Sequence, residues 1–152
     1  MEKEYYDNLM KNFKNGPIPY VNGAGIIAEV LEERHVRLRL PMTPLHLNHV
    51  GTAYAGSEFI LAEIASGNIF KCTYDPAEFI VVAKNIEIRY KKPAKTDLIC
   101  EISLSEEEAE EKIAYAREKG RGNWYLEAEI TDAEGDVVAE VKFTHYAMPP
   151  IK

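Results

Sequence analysis

Apolar positions along this chain fall into two periods, and the switches between them mark out its elements. Tyr6, Leu9, Met10 and Phe13 recur at helical spacing, which predicts a short amphipathic helix ending near Gly16 and Pro17. Strict alternation comes next. Ile26, Ala28 and Val30 alternate with Ile27, Glu29 and Leu31, then Val36, Leu38 and Leu40 with His35, Arg37 and Arg39. These are two strands, joined by a hairpin turn through Glu32, Glu33 and Arg34. After Pro41 and Pro44 a loop leads into a long helix over about Ala53 to Lys71, with Thr52 as its expected N-cap. The run from Phe79 to Lys91 is rich in β-formers and stops at Pro93, and Leu98, Cys100, Ile102 and Leu104 give a fourth strand. Ser105 and Glu108 form a capping box for a surface helix with Ala109, Ile113 and Ala116 on one face, ending at Gly120. Two last strands, Trp124–Thr131 and Val137–Tyr146, meet at a turn through Asp132 and Gly135.

The long helix changes the picture most. It is apolar on nearly every side, so it needs cover all round, and six mainly antiparallel strands are at hand to supply it. The expected architecture is therefore α+β, with a curled sheet of about six strands wrapped around a long central helix. A doubly wound parallel fold would need a helix after each strand, and the order of elements excludes it. No linker, repeat or low-complexity tract divides the 152 residues, so residues 1–152 read as a single domain.

Composition narrows the function classes. The formal charge of −7 argues against a nucleic-acid binder, because phosphate neutralisation needs a basic footprint. No stretch approaches the length of a membrane span and no signal peptide opens the chain, so a soluble cytoplasmic protein without membrane partners is expected. Cys72 and Cys100 lack ligand spacing and read as buried, reduced thiols. His35, His46 and His145 lack it too, and no metal site is expected. One local basic run stands out: Arg89, Lys91, Lys92 and Lys95. It is either a solvated strand end or a patch for an anionic small ligand.

The candidate chemistry lies at the start of the central helix. Glu63 sits between Leu61-Ala62 and Ile64-Ala65, where an ionised carboxylate is costly unless it is paired or used. Its two readings are a reactive acid with a raised pKa, or a structural carboxylate bonded to Ser66. Glu58 is a rival acid about 140° round the helix, placed for an interface or a structural role. Gly56 offers a backbone N–H at a helix N-terminus, free of a β-carbon, which suits a developing oxyanion. Asn48 either positions substrate or water, or builds the loop.

Here the sequence resembles the hotdog-fold thioesterases, in particular the phenylacetate-pathway-type acyl-CoA thioesterases and their uncharacterised relatives. Their pattern runs Asn, two residues, Gly, two residues, His-Gly-Gly, four residues, Leu, one residue, then Asp or Glu. This chain keeps every spacing with Asn48, Gly51, Tyr54-Ala55-Gly56, Leu61 and Glu63. The strand I-E-I-R-Y-K-K-P-A-K-T-D-L is similar to the family's third strand and Pro-Ala corner, and the likeness spans roughly residues 25 to 147. Tyr54 stands where the family has His, and Ala55 where it has the first Gly, so a ring nitrogen able to orient substrate is absent.

The resemblance implies a hotdog domain that hydrolyses acyl-CoA or related thioesters as a homo-oligomer, dimer or tetramer. Coenzyme A is then substrate, and no cofactor is implied. Glu63 would be nucleophile or general base, Gly56 the oxyanion donor and Asn48 a further catalytic-loop residue, with His49 and Tyr54 shaping the acyl end. Arg89, Lys91 or Lys92 would meet the coenzyme A phosphates. Gly56 and Glu63 are ~10 Å apart along one helix, so the resemblance further implies sites shared between subunits. Two alternatives stand beside this. One is a non-catalytic acyl-CoA-binding protein, suggested by the missing His-Gly. The other is a hydroxyacyl-thioester dehydratase pairing His49 with Glu63 at the fourteen-residue spacing of the hotdog dehydratases, though their proline-flanked segment is replaced here by V-G-T-A-Y-A-G-S.

Overall fold

In the computed structural model, which describes residues 1–152, the elements run in order α1 (Lys3–Asn12), α2 (Pro19–Ala24), β1 (Ile27–Glu32), β2 (His35–Leu40), α3 (Ala55–Lys71), β3 (Ile80–Tyr90), β4 (Leu98–Ser103), α4 (Glu106–Lys119), β5 (Gly122–Thr131) and β6 (Val137–Met148). The strands form one six-stranded sheet in the order β1-β2-β4-β5-β6-β3, antiparallel throughout. The β1–β2 hairpin turns at Glu33 and Arg34, whose φ of 59° puts a non-glycine residue in the left-handed region. Pairing between β4 and β5 is confined to Ile99 with Thr131 and Cys100 with Ile130. The sheet is most weakly joined there, where α4 enters the chain.

The sheet curls around α3 as the apolar pattern requires. Leu61, Ala62, Ala65 and Ile69 are fully buried together with Leu38, Leu98, Cys100 and Ile130 of the strands. At the end of α3, Phe70 stacks on Tyr74 with centroids 4.3 Å apart and meets Trp124 edge-on at 5.2 Å. Cys72 and Cys100 are free and buried, and desolvation pushes both thiols up to about 12. The Ser105–Glu108 capping box forms with both of its hydrogen bonds. No helix is long and apolar enough to cross a membrane.

One element is added and two expectations are corrected. The helix α2 has no counterpart in the apolar pattern, because six residues are too few to display a helical period; it ends where Gly25 takes a φ of 74°. Thr52 does not cap α3, which starts later; the N-cap is Tyr54, without a side-chain cap bond, and the Thr52 hydroxyl instead accepts from Asn48 Nδ2 at 2.9 Å. The second correction concerns cover. The sheet buries one side of α3 and the N-terminal helices pack near Ile64, but Gly56, Phe59, Ile60, Glu63 and Gly67 stay partly open and Lys71 is exposed. One chain leaves a stripe of its central helix unclad.

Candidate functional site

The loop before α3 is built around Asn48. Its Oδ1 accepts from the N–H groups of Val50 and Thr52, both at 3.0 Å, and its Nδ2 donates to Thr52 Oγ1. Both ends of the amide are spent within the loop, so Asn48 acts as the loop builder of its two readings. Gly51 turns the tip with a φ of 77°. His46 then ties the loop to the helix: Nε2 donates to Ala24 O at 2.6 Å, which leaves Nδ1 to accept from the Ser57 hydroxyl at 2.8 Å. This buried bridge is not legible in the sequence, since a separation of eleven positions from His46 to Ser57 matches no motif spacing.

At the helix start, no protein acceptor meets the N–H of Ala55 or of Gly56; the first bonds are made by Ser57 and Glu58, both to Tyr54 O. Two donors at the positive end of the helix dipole are therefore free. The space beside Gly56 is not free. A β-carbon there would lie 2.6 Å from Cε1 of the Tyr54 ring, so the missing side chain makes room for Tyr54 rather than for a ligand. On the opposite flank Tyr90 of β3 donates its hydroxyl to Ala55 O at 2.8 Å, pinning the first turn to the sheet edge.

Glu63 lies two turns further along the open stripe, half-buried. Burial raises its pKa, and Lys71 partly offsets this. Its carboxylate makes no ion pair and no hydrogen bond within the chain. The structural reading through Ser66 fails, because that hydroxyl donates to the Glu63 carbonyl at 2.6 Å and receives His145 Nε2 at 2.7 Å. His145, 2% exposed, has its pKa lowered by desolvation, in keeping with a neutral ring whose Nδ1 is unpartnered.

The greasier of the two helix acids is Glu58, not Glu63. Glu58 is 5% exposed, its Oε1 has no partner, and desolvation raises its pKa to about 7. It belongs to the face that turns toward the sheet, where its charge reaches Tyr90. That position could be read from its helical neighbours Leu61, Ala62 and Ala65; the absence of a partner could not.

The remaining candidates separate. His49 is exposed at the loop tip and forms no hydrogen bond with Glu63, so the dehydratase pair is not assembled within one chain. The basic run is partly neutralised. Lys92 Nζ lies 2.7 Å from Asp136 and 3.4 Å from Asp132 in the β5–β6 turn, and Lys91 lies 3.7 Å from Glu140. The hairpin brings acids against Lys92 that are about forty residues away in sequence, so a phosphate at Lys92 would compete with Asp132 and Asp136. Asp132, Glu134 and Asp136 gather their carboxylates in that turn, but Lys92 and the N–H groups of Glu134 and Asp136 already occupy Asp132 and Asp136. Arg89 and Lys95 keep exposed, unpaired cations.

A cavity of about 510 Å³ lies beneath α4 among Tyr74, Tyr115, Trp124 and Tyr125, and none of these candidate residues lines it. Neither Gly56 nor Glu63 lines any of the five main cavities. They sit on an open helix face.

Known proteins resemble this one throughout. A family model described as "Domain of unknown function (DUF4442)" matches residues 7–147. Among solved structures, a Pseudomonas aeruginosa protein of unknown function, described as a probable thioesterase, shares 35% identity at a TM-score of 0.86, over 93% of this chain and 95% of its own. A variant of a hypothetical thioesterase from Streptococcus pneumoniae aligns at 22% identity and a TM-score of 0.62, over 83% of this chain and 92% of its own. The E. coli PaaI protein, from the phenylacetic acid degradation operon, aligns at 15% identity and a TM-score of 0.69, over 95% of this chain and 94% of its own. No curated protein matches the sequence.

Proposed function

The chain belongs to the DUF4442 family and has the hotdog fold of thioesterase-like proteins, and from that premise we propose that it hydrolyses acyl-CoA thioesters. The observation that carries the proposal is Glu63: a half-buried carboxylate, uncommitted to any partner, on the same open stripe of α3 as the free N–H of Gly56. Glu63 as general base takes a proton from water as its oxygen attacks the thioester carbonyl. The tetrahedral oxyanion is stabilised by the N–H groups at the start of α3. Collapse breaks the C–S bond, and the proton held by Glu63 passes to the departing thiolate, giving a carboxylic acid and coenzyme A.

Seven residues of helix separate Gly56 from Glu63 by ~10 Å, too far for one carbonyl to touch both. The site is therefore composite in this proposal: Glu63 of one subunit works with Gly56 of the partner subunit. The unclad stripe of α3 supports that arrangement, since a second copy would cover it. Arg89 and Lys91 at the edge of β3 would receive the phosphates of coenzyme A.

A non-catalytic acyl-CoA binder is the second reading, favoured by the Tyr54 ring lying against Gly56. Thiol release decides between them. Wild-type protein should free thiol from acyl-CoA substrates, and Glu63→Gln should reduce kcat by at least ~100-fold. Saturable acyl-CoA binding without thiol would establish the binder.

A further inference from the structure

We infer that the acyl tail of the substrate lies in the groove between the N-terminal helices and α3, reached from Glu63 across Gly67. This rests on the thioesterase reading above and adds where the tail goes and what size it has. The groove is a cavity of about 230 Å³. Leu9, Phe13, Val21 and Ile64 give it apolar walls, with Asn68 and Lys71 along its α3 side.

Several observations join the groove to the reacting end. Ile64, Asn68 and Lys71 succeed one another at i, i+4 and i+7, a single flank of α3 beside the stripe that holds Glu63. Between that acid and Lys71 stands Gly67, one turn beyond Glu63, and a β-carbon there would meet nothing within 4 Å. Within one chain the helix surface along this path is bare backbone, and the partner subunit of the composite site would roof it. Lys71 is also close enough for its charge to draw the Glu63 pKa downward. Within the groove, Asn68 is 8% exposed and donates Nδ2 to Ile64 O at 2.8 Å, which leaves Oδ1 without a protein donor. A water or a tail hydroxyl would satisfy it.

The groove's volume bears on how much of a tail it holds. At roughly 30 Å³ for each water-sized group, the space holds about seven or eight non-hydrogen atoms. That suits a medium-chain acyl group or one aromatic ring on a short linker. A palmitoyl chain would run about eight groups beyond it.

Two measurements test the assignment. In the first, ¹⁵N-labelled wild-type protein is titrated with a non-hydrolysable octanoyl-CoA thioether and, separately, with coenzyme A alone. The Asn68 side-chain amide and the Val21 and Ile64 backbone signals should shift with the thioether only; signals that stay still, or shift equally with coenzyme A, overturn the inference. In the second, Gly67→Leu blocks the path and Val21→Trp fills the groove. Gly67→Leu also replaces a poor helix former and meets no atom of its own chain, so the chain should fold; light scattering checks that the oligomer persists, since the partner subunit would cover this stripe. In each, the ratio of kcat/KM for octanoyl-CoA to that for acetyl-CoA should fall at least tenfold, and a ratio unchanged in both overturns the inference. Should no thioester be hydrolysed at all, the hydrolase reading fails, and the thioether spectra still decide the groove.

Discussion

The ring of Tyr54 occupies the place that a side chain at Gly56 would need, with Cε1 2.6 Å from the position of the absent β-carbon. The pair packs as one unit, and any side chain at position 56 must displace the tyrosine ring. The ring is 53% exposed, so it has solvent to move into. Gly56→Ala should therefore displace it without unfolding the helix, with a stability change within about 1 kcal/mol because the gain in helix propensity offsets the displacement. In the double variant with Tyr54→Ala the displacement cost disappears, and a double-mutant cycle on chemical denaturation should show positive coupling of about 0.5–1 kcal/mol. Additive effects would mean that the ring and the glycine are independent.

Sites shared across subunits make a sharper claim. Glu63→Gln removes the proposed base, and Gly56→Pro removes one free N–H in the first helical turn, where proline is tolerated. Each homo-oligomer should lose at least ~100-fold in kcat. Unfolded together and refolded, the two proteins form hybrids that retain one intact Glu63 facing one intact Gly56, and activity should return to a measurable fraction of wild type. Absence of recovery, with hybrids verified by mass spectrometry, would place both groups in one subunit's site.

The two helix acids give opposite pH signatures. For Glu58 the folded pKa of about 7 lies above the unfolded carboxyl value, so the native state holds the proton more tightly. Its stability contribution is present below the unfolded pKa and is lost as pH rises through about 7. The loss is of the order of 2 kcal/mol once solvent screening is allowed for. Melting temperatures should fall over that interval, and Glu58→Gln should flatten the decline. In the proposed mechanism Glu63 sets activity instead: kcat/KM should rise with pH as it deprotonates, on an acid limb above the usual carboxylate range because burial raises it. That limb should survive Glu58→Gln.

The hydrophobic periods carry most of the architecture, because burial of alternate strand positions and of the whole sheet-facing side of α3 leaves a strong imprint on residue type. Boundaries of the long elements differ by only one or two residues. The periods do not show how far one chain covers its own helix. An all-round apolar helix looks the same whether its last face meets another element or a second subunit. Spacing nominates Glu63 and Gly56 correctly as members of one stripe, yet the ring of Tyr54 against Gly56 depends on a rotamer, and spacing does not encode rotamers. Asn48 and Lys92 escape the sequence for a related reason. Their partners, the loop N–H groups and the acids of the β5–β6 turn, are created by the fold.

Within the basic run, those fold-made partners give Lys92 and Arg89 different tasks. Lys92 bridges Asp132 and Asp136, and Asp132 is 7% exposed, so Lys92→Ala strips a buried carboxylate of its cation. Its effect should appear in stability, as a lower melting temperature, since that ammonium is already engaged by the protein's own acids. Arg89 is exposed and unpaired across the sheet from Glu140, whose charge is taken up by Lys91 at 3.7 Å. Arg89→Glu should raise KM for acyl-CoA severalfold with little change in kcat, which is the pattern of lost uniform binding. Because the contact lies at the solvent edge, the difference should shrink as ionic strength rises and the Debye length falls below about 10 Å. A KM for Arg89→Glu that matches wild type at low salt would return this run to a solvated strand end.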